Sequence, residues 1–97
     1  MEKKFTQGDW HADSNEIRDY KGLIIATVYT HLEINMPLKE KLANAKLIAA
    51  APDLLDALIG LSSEYKSLAD SGDCGAWKAE YQTEFIKAEK AIKKALE

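Results

Sequence analysis

Two histidines, a single cysteine and a cluster of carboxylates near the N-terminus are the groups in this 97-residue chain whose chemistry could serve a site. His11 and Asp13 stand two apart in a segment of strand character, so both side chains fall on one face, with Glu16 or Asp19 within reach across a hairpin. A metal centre needs three or four converging ligands. His31 is the one other histidine and there is no second cysteine, so these residues read as polar positions on a wet sheet face and no metal is expected. Cys74 would gain nucleophilicity beside a helix N-terminus, yet no histidine is near it in sequence and Gly72 and Gly75 mark a turn. Ser62-Ser63 matches neither a phosphate loop nor a nucleophile elbow. The expectation is a protein that is not an enzyme, with no catalytic residue and no cofactor.

Recognition is better supplied. Trp10 and Tyr20 are of the residue types that anchor protein interfaces, and Asp13, Glu16 and Asp19 form an acidic patch suited to a basic partner. The expected function is therefore protein–protein binding through Trp10, Asp13, Glu16, Asp19 and Tyr20. An alternative of a different class is an oligomer that sequesters a small molecule, such as a nucleotide signal, in a pocket between subunits. There Arg18, Lys21 and Lys46 would meet phosphate, with Tyr20 and Trp10 beside the base. Net charge is −3, made of −2 in residues 1–36, −2 in residues 37–75 and +1 in residues 76–97, which leaves no electrostatic footprint for duplex DNA. Lys87, Lys90, Lys93 and Lys94 gather near the end of an expected helix, where they complement the negative end of its dipole.

The elements that must position these groups change character at Pro37. Before it, Trp10–Asp13, Glu16–Tyr20 and Leu23–Thr30 read as short strands divided by the turn signals Ser14-Asn15 and Lys21-Gly22. Strict alternation in the third would put Leu23, Ile25, Thr27 and Tyr29 on one face and Ile24, Ala26, Val28 and Thr30 on the other. Connections of about two residues join antiparallel neighbours, so residues 1–36 are expected to form a three-stranded antiparallel β-meander. After Pro37, the residues Leu38, Leu42, Ala45, Leu47, Ile48 and Ala49 make an apolar helix stripe. Leu54, Leu58, Leu61, Tyr65 and Leu68 then step by four, three, four and three, a seam for packing on another helix. Trp77, Tyr81, Phe85, Ala88, Ile92 and Ala95 repeat that spacing beyond a turn at 70–75, with the aromatic residues expected to pack on the leucines.

Proline inside a helix costs roughly 3 kcal/mol and almost nothing in the first turn, so the helical region 37–97 should break near 51–52 as well as at 70–75. The fold class expected is α+β: an N-terminal β-meander, a helix and a C-terminal antiparallel αα-hairpin, in a single domain spanning 1–97. A domain of this size buries only about 60 to 65% of its unfolded surface, so a thin core and a homo-oligomer are expected. No apolar run approaches the roughly 20 residues of a membrane span, and the start MEKKFTQGDW has no signal-peptide character. With its lone cysteine, the chain is expected in a reducing cytoplasm.

Residues 43–61, ANAKLIAAAPDLLDALIGL, resemble a segment of small proteins of tailed bacteriophages and prophages. In those proteins an Asn-Ala-(basic)-Leu-Ile-Ala-Ala-Ala-Pro-(acidic)-Leu-Leu run leads into a helix, behind a short β region with a Trp near its start and a turn closing in Gly. Trp10 and Asp19-Tyr20-Lys21-Gly22 occupy those places here. The resemblance implies phage origin and the cytoplasm of a bacterial host. It also implies an accessory role, since small phage proteins of this kind often inhibit a host process or defence by binding a host component.

Overall fold

The computed structural model describes residues 2–29, 37–71 and 79–97. His31, Cys74 and Trp77 lie outside them, as do Thr30 and most of the turn expected at 70–75. Six elements follow one another: β1 (His11–Asp13), β2 (Glu16–Arg18), β3 (Ile24–Thr27), α1 (Leu38–Ala49), α2 (Ala51–Ser71) and α3 (Ala79–Leu96). This is the expected α+β order, an antiparallel meander β1-β2-β3 followed by helices. Residues 3–53 form one compact unit and residues 54–97 the bulk of another.

In the first unit, turn chemistry fixes the sheet. Asp13 pairs with Glu16 across the two-residue connection Ser14-Asn15. Ser14 takes φ 58°, the left-handed conformation that a tight hairpin turn asks of its first central residue. Asn15 ties in the third strand: its carbonyl accepts the Val28 amide at 2.8 Å and its Nδ2 donates to the Val28 carbonyl at 3.1 Å. Between β2 and β3 the register slips. Ile17 pairs with Ala26 and Arg18 with Ile24, which leaves Ile25 as the extra residue of a β-bulge. The strict alternation expected for this strand is therefore overturned: Ile25, Ala26 and Val28 all pack toward the core, while Leu23, Ile24 and Tyr29 are exposed.

Helix α1 covers the inner face. Ile17 is fully buried against Ala45 and Ala49, with Trp10, Ala12 and the bulged strand around them. Alanines four apart present a smooth strip and let the helix backbone come close to the sheet. The expected leucine stripe does not provide this contact, for Leu38, Leu47 and Ile48 are exposed. Leu47, two residues from each buried alanine, is on the far side of the helix, and Leu38 precedes Ala45 by about 10 Å along the axis. The Pro37 carbonyl accepts the first helical bond, from the Lys41 amide at 3.0 Å. At the other end Ala50 alone separates α1 from α2, and Pro52 falls in the first turn of α2, where its missing N–H costs nothing.

In the second unit α2 and α3 pair. The rings of Tyr65 and Phe85 are 5.0 Å apart. One stands six residues before the end of its helix and the other six after the start of the next, the symmetry of an antiparallel hairpin. The inner side of α2 holds Leu55, Leu58, Ile59, Ser62 and Tyr65, and that of α3 holds Phe85, Ala88, Ile92 and Leu96. The expected seam is thus half right. Buried Ser62 marks the centre of the contact, and Leu61, one residue back, is turned about 100° from it. Leu54 and Leu61 are exposed for that reason.

Two stability measurements check this account. Ala45→Leu overpacks a fully buried helix–sheet contact and should lower stability in thermal or denaturant unfolding by about 1 to 3 kcal/mol. Ser14→Gly removes a left-handed penalty of about 1 to 2 kcal/mol against a glycine entropy cost of about 0.5 to 1 kcal/mol, so a net gain of up to about 1.5 kcal/mol is expected.

Candidate functional site

The face of the sheet opposite α1 collects His11, Asp13, Glu16, Arg18, Ile24 and Thr27, since the cross-strand pairs His11/Arg18, Asp13/Glu16, Glu16/Thr27 and Arg18/Ile24 place them together. Arg18 is the hub. Its guanidinium donates to Glu16 Oε1 at 2.9 Å and to the Gly22 carbonyl at 2.6 Å. Its Nε lies 3.6 Å from Asp13 Oδ2, an ion pair without a hydrogen bond. Asp13 keeps most of its surface in water.

The β2–β3 turn is built by Asp19. Its Oδ1 accepts the Lys21 and Leu23 amides, both at 2.9 Å, while its own amide and carbonyl bond Leu23 and Gly22. Gly22 supplies φ 86°. Asp19 is only 7% exposed, so the role expected of it as a surface acid is corrected: its carboxylate is spent on backbone donors that would otherwise be unpaired. Tyr20 projects from this turn, 64% exposed. Its ring lies against Gly8, where a Cβ would sit 2.6 Å from Cδ1, and Lys21 Nζ is 5.5 Å from the ring centre. Trp10 is half-buried against the core, edge-on to Phe5, with its indole N–H donated to the Thr6 carbonyl at 3.0 Å.

Of the residues expected to bind a partner, Asp13 and Tyr20 therefore reach solvent, Glu16 and Trp10 do so in part, and Asp19 does not. The cations of the nucleotide alternative are dispersed. Arg18 is engaged on the outer face, Lys21 stands over Tyr20, and Lys46 borders a shallow depression with Trp10, His11, Ala49 and Asp53 on the helix side. Among the described residues no cluster of His, Cys, Asp and Glu could hold a metal ion. The sequence reading missed Leu23 and Ile24, which follow Tyr20 at the same turn and are 64% and 51% exposed. Strand propensity hid them, because an Ile-rich run reads as core until the bulge is known. The turn offers a direct check: Asp19→Ala should cost about 1 to 3 kcal/mol in thermal unfolding, and Asp19→Asn, which keeps an acceptor oxygen, should cost less than half of that.

No helix among the described residues is long and apolar enough to cross a membrane. No curated protein and no solved structure matches the chain. The family described as Salmonella phage P22 protein Y8K6 matches residues 1–97, the whole of it. A small α+β chain is thus matched from end to end by a phage family, and it belongs to the Salmonella phage P22 protein Y8K6 family.

Proposed function

We propose that this phage protein is a non-enzymatic accessory factor that acts by binding another protein in the cytoplasm of the bacterial host, as an inhibitor of a host process or defence. The observation that carries the reading is the cluster of Tyr20, Leu23 and Ile24, three large apolar side chains each more than half exposed around one turn. They adjoin the charged face of Asp13, Glu16 and Arg18. An aromatic and aliphatic anchor bordered by polar groups has the make-up of a protein interface. Asp13, exposed and acidic, suits a basic contact on the partner.

The nucleotide-sequestering alternative has less support, since Arg18 is already hydrogen-bonded to Glu16 and the Gly22 carbonyl and ion-paired with Asp13, and Lys46 is on the other side of the sheet. The test pairs the wild-type protein with a Leu23→Ser/Ile24→Ser variant as baits in host lysate. A single protein retained in stoichiometric amount by the wild type and lost by the variant is the expected result, and Asp13→Lys should slow its association and flatten the salt dependence. Equal retention by both baits removes this surface from the interface. A thermal shift with a nucleotide at about 100 times its dissociation constant, worth about 2.7 kcal/mol, would favour the alternative.

A further inference from the structure

Within residues 54–97 the helices α2 and α3 are one layer, and helix layers are stable when packed on a second. The groove between them is lined by Leu58, Leu61, Ser62, Tyr65, Phe85 and Ala88, with Glu84 at its rim, and is about 370 Å³ in volume. Its two banks differ in size. On α2, Leu54 and Leu61 stand seven residues apart, 54% and 69% exposed. On α3, Glu84, Ala88, Ala91 and Ala95 fall within an arc of about 60°, and Ala91 and Ala95 are exposed. A leucine row thus borders one bank and an alanine row the other.

We propose that the occupant of this groove is a second copy of the chain, closing a four-helix bundle. A two-fold axis along the groove sets the leucines of each copy on the alanines of the other, large against small, as interdigitating helix layers require. The charges agree. By helical position Glu64 flanks the leucine row, while Lys87 and Lys94 flank the alanine row, so the antiparallel register already seen at Tyr65 and Phe85 brings Glu64 of one copy to Lys87 of the other. Lys87 is held to Glu84 at 3.1 Å in an exposed pair, which exchanges for another at little cost. The face spanned by α3 and the matching length of α2 projects about 27 Å by 20 Å, about two thirds of the roughly 800 Å² per partner of a standard interface before its corrugation is counted.

Sedimentation equilibrium or native mass measurement of the full chain tests this. The expected mass is twice 10.8 kDa, and Leu61→Glu should halve it while the far-ultraviolet helix signal stays. Because that change touches the hairpin itself, a charge exchange gives a second readout. Glu64→Lys alone, or Lys87→Glu with Lys94→Glu, should weaken the dimer at least tenfold, and all three together should restore it to within about threefold. Leu23→Ser/Ile24→Ser should leave the dimer intact, which separates this surface from the sheet face. A wild-type chain of single-copy mass, or an oligomer that ignores Leu61→Glu and Glu64→Lys, overturns the proposal.

Discussion

Ile17, Ala45 and Ala49 form the buried centre of residues 3–53, and the arrangement of that unit depends on their contact. A three-stranded sheet with strands of three or four residues cannot stand without a partner layer. Larger side chains at 45 and 49 would hold α1 farther off and open gaps that so few strand residues have no volume to fill. The alanines give up apolar area of their own. In return they let one isoleucine be wholly enclosed, with Trp10, Ile25 and Val28 closing the sides.

The polar groups of the sheet divide along the same line. Asp19 and Arg18 look alike in sequence, as charged residues beside a turn, but the fold consumes them differently. Asp19 replaces water for two amides and becomes interior, whereas Arg18 bridges strand, turn and two acids from the outer face. What remains on offer to a partner is Asp13 and the apolar trio at the tip of the turn. The site proposed for binding is thus the residue of what folding did not use.

The sequence was legible where local rules act alone. Ser14-Asn15 and Lys21-Gly22 punctuate the strands at the observed turns, and Pro52 does begin a helix, because each of these depends on backbone angles that few residues adopt. It was illegible where a tertiary choice breaks a period. One inserted residue at Ile25 overrides alternation, and the α2 contact is centred on Ser62, a residue no hydropathy pattern would choose. The acidic patch was half legible, since charge is written in the sequence but the burial of Asp19 depends on amides two and four residues on.

The bulge in β3 has a meaning beyond side-chain direction. Residues 23–29, Leu-Ile-Ile-Ala-Thr-Val-Tyr, are an uncharged, β-branched run at the edge of the sheet, the composition most prone to recruit another strand. An edge that is short, twisted and out of step makes a poor template. That irregularity favours solubility, and any association the chain undergoes is steered away from open-ended strand addition toward surfaces that close.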